Sequence, residues 1–401
     1  MMATGFLTAA LINYSLGPSM RGVYAEMQTW VGLFAVIFGI SMDTAIYHFA
    51  NKSLYGNDVQ ARLMTVFSLS LVYALFASLA LAVFSTLFPG QISVETSRHL
   101  FLLNLVLICT MLVGNLTIFL QALGYLRYSA VMGCVQGTSS AILFGMAYWI
   151  GVIDVRFVLI CLIIVQVIGF LMLLTWFVKE KFLNGSFSKE LAKGIMAAGL
   201  KQHIATIATF VYMKINQLIV FRYCGESETG LFAVSLTAAF YLMFIPMTLQ
   251  TVLYPRIING ADDYEITIRS LRFTFYSWGF VVLLMILFAK PIILLYAGKD
   301  FLNSVLAFRI LMVAAWFFPL SALVAPYCVK LGAFYAMSLS AIALGVISIL
   351  LNVILIPNLL KIGAAISTSA TSVFGFCIVL VLLRFLSHRN PLEFVKIKRI
   401  G

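Results

Sequence analysis

Charge is what this sequence has least of. Only 10% of its residues are Asp, Glu, Lys or Arg and 63% are hydrophobic, where a soluble domain carries about 25% charged residues. A soluble globular fold is therefore excluded, and the chain reads as an integral membrane protein. Acids are scarcer still, 14 against 26 basic residues, for a net charge of +12. The basic residues lie in short polar breaks and in the tail, with no basic stripe interleaved with aromatics. That pattern argues against nucleic acid as a partner and assigns the charge to membrane topology. The six cysteines, Cys109, Cys134, Cys161, Cys224, Cys328 and Cys377, show no C-x-x-C spacing, and all but Cys224 sit in apolar runs. Such usage argues against a disulfide or zinc framework. Phosphate-binding loops, H-E-x-x-H and G-x-S-x-G are missing too, and the outer loops supply no credible pair of acids, so the chain does not read as an enzyme or a nucleotide hydrolase. The opening stretch, MMATGFLTAALINYSLGPSMRG, lacks a basic n-region and a convincing small-residue cleavage site. It reads as a short membrane helix rather than a cleaved signal.

What is present is apolar material in runs of roughly 20 to 28 residues, the length of a membrane-spanning helix, rather than ten-residue alternating strands. The expectation is an all-α polytopic membrane protein with about 12 transmembrane helices. The spans are placed near 1–16, 23–50, 64–88, 99–123, 128–152, 155–178, 196–222, 229–256, 273–297, 303–331, 333–357 and 363–386. The polar stretch KEKFLNGSFSKELAKG divides them, giving an N-terminal six-helix lobe (1–180), a cytoplasmic linker (181–195), a C-terminal six-helix lobe (196–388) and a basic cytoplasmic tail (389–401). Walking Lys and Arg through this topology places about sixteen on one side and eight on the other. The positive-inside rule then puts both termini in the cytoplasm.

The two lobes look like copies. LGPSMRGVYA (16–25) and CGESETGLFA (224–233) share G-x-S-x-x-G-[VL]-[YF]-A at an offset of 208, and the same offset pairs Asn51 with Asn259 and Leu123-Gly124 with Leu331-Gly332. An even number of helices precedes the second copy, so the lobes are expected to be pseudo-symmetric about an axis along the membrane normal, with a cavity between them. The register sets Phe6 opposite Lys214, and the counterpart of 196–208 falls before Met1. By that register the first helix is truncated by roughly three turns.

On these stretches, together with MKINQLIVFRYCGESETGLFAVSLTAAF, LYPRI, YAGKDF and LIPNLLKIGAAISTSAT, the chain resembles the multidrug/oligosaccharidyl-lipid/polysaccharide (MOP) exporter superfamily. Within it, the resemblance is to the Wzx-type polysaccharide repeat-unit flippases. The resemblance implies a carrier, in the bacterial inner membrane, that moves an undecaprenyl-diphosphate-linked oligosaccharide between leaflets by alternating access for O-antigen, capsule or exopolysaccharide synthesis. It implies a lipopolysaccharide-type pathway, with a polysaccharide polymerase or chain-length regulator as partner. No cofactor is implied, transport drawing on an H+ or Na+ gradient or on the substrate gradient itself. One departure is plain. Members of that family often carry an acid in a K-I-D-Q stretch, and here the position is Asn216, which leaves that acid's coupling role without a residue.

Candidate site residues concentrate on the seventh span. At about 100° per residue, His203, Phe210, Lys214 and Gln217 fall on one line and Lys201, Tyr212 and Asn216 on another. This arc, with Arg222 at its outer end, is the expected cavity face for a diphosphate and a glycan. Snorkelling to an interface is the competing reading for both lysines, and a hydrogen-bonded neutral ring for His203. Asp43, expected to be buried in the inner third of the second span with His48 nearby, is a candidate for ion coupling or for a gate pair with Lys201. Arg21, Arg98, Arg156 and Arg309 read as an outer rim. Asn104, Asn115, Gln121, Gln136 and Gln250 read as sugar contacts or as interhelical glue. The alternatives are a cation-coupled multidrug exporter, which calls for an acidic cavity, and a membrane enzyme of polysaccharide processing, for which no outer loop is long enough.

Overall fold

Lipid offers no hydrogen-bond partners, so apolar runs of this length must satisfy their backbone internally, and helices do so segment by segment. The computed structural model describes residues 2–49, 59–179, 185–259 and 263–395. Within them all regular structure is helical. In chain order the α-helices are α1 (Met2–Gly39), α2 (Met42–Phe49), α3 (Val59–Leu87), α4 (Val94–Arg98), α5 (Leu100–Ala122), α6 (Leu126–Ile150), α7 (Val155–Lys179), α8 (Lys189–Asn259), α9 (Asp263–Leu287), α10 (Ala289–Ala297), α11 (Val305–Lys330) and α12 (Phe334–Ser387). Eight helices among the described residues are long and apolar enough to cross a membrane, the longest being Lys189–Gln250 with 62 residues and Phe334–Ser387 with 54. The helix α1 is not among the eight.

Three helices contain a residue with non-helical torsions: Gly17 in α1, Gly225 in α8 and Leu360 in α12. Gly17 (φ 66, ψ 176) and Gly225 (φ 82, ψ −177) share one backbone conformation, and they are the first glycines of the two motif copies. Gly124 (φ 91) and Gly332 (φ 74), the next pair in the repeat register, both have positive φ as well. A side chain at such φ costs about 1–2 kcal/mol. The repeated glycines therefore mark where the backbone of each copy must turn in the left-handed region.

The chain divides into two compact units, one of Met1–Leu16 and Val23–Phe210, the other of Gly17–Gly22 and Val211–Gly401. The first has a core in which Ile46 and Phe49 of α2, Leu63 and Val66 of α3, Leu116 and Phe119 of α5, and Leu173 and Trp176 of α7 pack together. The second is built around Leu271 of α9, Leu320 and Val324 of α11, and Phe376 and Val379 of α12, closed by Phe394 of the 3-10 turn Pro391–Val395. The division falls inside α8, between Phe210 and Val211.

Several expected elements shift. The second span does not run unbroken from 23 to 50: α1 ends at Gly39, and Ile40 and Ser41 both adopt φ 47. The span expected to start near 273 begins at Asp263, and α10 supplies its last turns. Lys52, Lys181, Lys396, Lys398, Arg399 and part of the linker lie outside the described residues, as do the side chains of His48 and Arg256.

Candidate functional site

The glycine turn at Gly17 leads straight into Arg21. Arg21 is only 4% exposed, and its Nη2 donates to Thr237 Oγ1 at 3.4 Å in the second unit. Lys214, three turns before Gly225 on α8, stands with Nζ 5.0 Å from the centroid of the Phe240 ring. Thr237 and Phe240 are three residues apart on α8, so Arg21 and Lys214 reach the same stretch of that helix. Among the described residues no carboxylate pairs with Lys214. A buried guanidinium and a half-buried ammonium are thus held against one stretch of α8. Two like charges in such a setting repel strongly, and a multiply charged anion relieves that repulsion.

The other residues of the expected arc have the following surroundings. Asn216 is fully buried, its Nδ2 donating to Thr368 Oγ1 of α12 at 2.9 Å, while its Oδ1 is a buried oxygen with no partner. Gln217 is buried as well. Nearby, Ser348 Oγ donates to the Tyr212 carbonyl at 3.4 Å and Asn352 Nδ2 to Ser348 Oγ at 3.2 Å, so this face of α8 is a polar seam against α12. Arg222 is exposed at the end of the segment.

His203 belongs to the first unit. Its Nε2 lies 3.0 Å from the Ile37 carbonyl and its Nδ1 3.5 Å from Ser41 Oγ, which itself donates to Thr206 Oγ1 at 2.8 Å. Gly199 sits under the same break, where a Cβ would strike the Ile40 carbonyl. The polar groups of this stretch of α8 satisfy the backbone freed where α1 ends. That is the hydrogen-bonded reading of His203, and it leaves Lys201 exposed at the edge.

Asp43 is not buried. The left-handed turn at Ile40–Ser41 places it in the first turn of α2, exposed, with Oδ1 accepting from its neighbour Thr44 Oγ1 at 3.3 Å. No Asp43–Lys201 pair forms.

The buried acid of the first unit is Glu26, which the sequence reading passed over. It is 1% exposed. Its carboxylate accepts from Ser93 N (3.0 Å), Ser93 Oγ (2.6 Å), Thr96 Oγ1 (2.7 Å) and Trp30 Nε1 (3.2 Å). Four neutral donors satisfy it, and they tie the turn that starts α4 to α1. The only sequence signal was a lone Glu in an apolar run. Second-copy residues do a related job, Ser235 Oγ donating to the Ser304 carbonyl at 2.9 Å.

Of the expected rim and sugar contacts, several are engaged locally. Arg98 pairs with Glu95 at 2.7 Å, and Arg309 Nε donates to the Ile286 carbonyl. Asn115 Nδ2 donates to Ser70 Oγ, Gln136 Nε2 to the Val165 carbonyl, and Gln121 Oε1 accepts from Tyr47. These are interhelical bonds, each between two helices of one unit.

No protein-family model and no curated protein matches the sequence. Solved structures do match along almost the whole chain. A multidrug resistance MATE family transporter of the MOP superfamily, in an inward-facing conformation, aligns with a TM-score of 0.72 at 14% identity, covering 97% of this chain and 96% of that one. The lipid II flippase MurJ, in an inward closed conformation, aligns at 0.66 and 16%, covering 98% and 93%. A MOP superfamily transporter from Pyrococcus furiosus, described as having a binding pocket of reversed polarity that suggests a different function, aligns at 0.66 and 16%, covering 98% and 93%. The chain is thus an all-helical membrane protein with the fold that these MOP superfamily transporters share.

Proposed function

We propose that this protein is a flippase for a lipid-linked oligosaccharide carried on a diphosphate, of the Wzx type, working by alternating access. The observation that carries the reading is that Arg21 and Lys214 reach neighbouring residues of α8, Thr237 and Phe240, with no carboxylate paired to the lysine among the described residues. A diphosphate brings two or more negative charges to one point, which two adjacent cations match and a cationic drug does not. The flippase with the same fold acts, by its name, on lipid II. On the exporter alternative, the cavity needs an acid, whereas Glu26 is saturated by four neutral donors and Asp43 is exposed.

Twelve crossings fit the lengths. A helix of 62 residues such as Lys189–Gln250 would extend about 93 Å at 1.5 Å per residue, three times the hydrocarbon thickness of about 30 Å. A turn at Gly225 divides it into two crossings, Leu360 does the same for α12, and Gly17 separates the first two. The reading includes a bacterial inner-membrane location with both termini cytoplasmic, a glycan made for O-antigen, capsule or exopolysaccharide, coupling to an ion or substrate gradient, and a polymerase partner.

Complementation of a strain that lacks its own flippase tests the reading. Lys214→Ala and Arg21→Ala should abolish surface glycan while leaving the protein in the membrane, and Lys214→Arg should restore it. Full surface glycan from both Lys214→Ala and Arg21→Ala would rule the site out.

A further inference from the structure

A second cationic site lies within the first unit, where α6 begins and α7 ends. A cavity of about 730 Å³ there is lined by Tyr125, Arg127, Tyr128, Thr175, Trp176 and Lys179, with Leu126 and Val131 on its apolar wall. The aromatic floor is packed on itself. The Tyr125 and Trp176 rings meet edge to face at 4.6 Å, Tyr128 lies 6.0 Å from Trp176, and the Tyr128 hydroxyl donates to the Met172 carbonyl at 2.7 Å. Arg127 and Lys179 are exposed above it, and the lining contains no acid.

Position narrows the ligand. Leu126 and Lys179 are the terminal residues of two helices long and apolar enough to cross the membrane, so the cavity opens at the level where hydrocarbon gives way to water. Tyr and Trp at that level, with Arg and Lys just outside, are the groups that hold a phospholipid headgroup. Leu126 and Val131, 63% and 55% exposed, continue the wall down α6 in the direction an acyl chain would take.

The fold does not require this set. In the repeat register the turn residue Gly124 is matched by Gly332, and both have positive φ. The counterparts of Tyr125, Arg127, Tyr128, Thr175 and Lys179 are Ala333, Tyr335, Ala336, Leu383 and Ser387. Trp176 is matched by Arg384, but the second copy makes the same turn with Tyr335 and Ser387 in place of Arg127 and Lys179, so these two cations are particular to the first copy.

We infer that the cavity between Arg127 and Lys179 over Trp176 binds the headgroup of an anionic phospholipid of the surrounding bilayer. The site is separate from Arg21 and Lys214, and the inference does not depend on what the protein transports.

Native mass spectrometry of the full chain in neutral detergent, titrated with phosphatidylglycerol or phosphatidylcholine, tests it. The wild type should retain phosphatidylglycerol at about tenfold lower concentration than phosphatidylcholine, as two basic residues at an anionic headgroup lead one to expect. Arg127→Gln with Lys179→Gln should remove that preference. Arg127→Lys should keep it, and Lys189→Gln with Lys193→Gln, an equal loss of charge elsewhere on the first unit, should keep it as well. Val131→Trp, which fills the cavity without touching a charge, should weaken retention of phosphatidylglycerol. Preference surviving the Arg127 and Lys179 changes, or lost equally in the Lys189 and Lys193 control, overturns the proposal. Displacement of the lipid by millimolar inorganic phosphate also overturns it, assigning the site to a soluble anion instead.

Discussion

Gly22 and Gly230 meet backbone to backbone. A Cβ on Gly22 would strike the carbonyl of Glu226, and one on Gly230 would strike the carbonyl of Pro18. The contact is reciprocal in the repeat register, since Pro18 corresponds to Glu226 as Gly22 corresponds to Gly230. Ser19 Oγ reinforces it, donating to Glu226 Oε2 at 2.6 Å.

Alanine at either glycine should therefore be costly, because a backbone oxygen cannot rotate away as a side chain can. Gly22→Ala and Gly230→Ala are each expected to destabilise by about 1–3 kcal/mol, the range for overpacking. Gly114→Ala, where nothing lies within 4 Å of the added Cβ, is the helical control and should be neutral. Thermal unfolding of the purified variants in detergent measures this, and equal midpoints for all three would contradict the close approach.

Glu26 holds the start of α4, so Glu26→Leu strands the Ser93 amide and the Trp30 indole N–H. Each unsatisfied buried group costs about 1–3 kcal/mol. Amide hydrogen exchange across Val94–Arg98 should accelerate more than tenfold, while the α3 core exchanges as before. Unchanged exchange in α4 would mean that the carboxylate is not what anchors it.

His203 and Ser41 serve the break between α1 and α2. His203→Phe keeps the ring volume and removes both hydrogen-bonding nitrogens, with an expected loss of about 1 kcal/mol. A Ser41→Ala change should cost a similar amount. Because Ser41 Oγ also donates to Thr206, the double variant should show non-additivity in a thermal double-mutant cycle. Strict additivity would show that the two groups do not act together.

Asn216→Asp tests the position at which the family resemblance leads one to expect an acid. The side chain is fully buried, its Nδ2 donating to Thr368 Oγ1 at 2.9 Å. An unpaired buried carboxylate is expected to lower stability by several kcal/mol at neutral pH. Retention of wild-type stability and surface glycan would show that the seam against α12 already accommodates an acid.

Some of this architecture was open to reading from the residues. The helical class followed from run length and lack of charge, since lipid permits few ways to satisfy a backbone. The repeat was visible because its glycines answer a backbone requirement: Gly17 and Gly225, and Gly124 and Gly332, need positive φ, and no other residue type meets that without strain. Lys214 stood out because a cation in an apolar run has few neutral explanations.

What the sequence could not decide is which polar groups face one another. Periodicity placed Asn216, Lys201 and Tyr212 on one line, yet Asn216 belongs to the seam with Thr368, and Lys201 is exposed. Arg21 read as a rim arginine, and Asp43 as a buried one-third-depth acid. Two short turns reversed these: the one at Gly17 delivers Arg21 to Thr237, and the one at Ile40–Ser41 turns Asp43 outward. Glu26 was unreadable for the same reason, since its donors Ser93 and Thr96 lie far along the chain. Apolar periodicity is a local property, set by the segment that carries it. The partner of a buried charge is a tertiary property, and in this protein the turns between segments choose it.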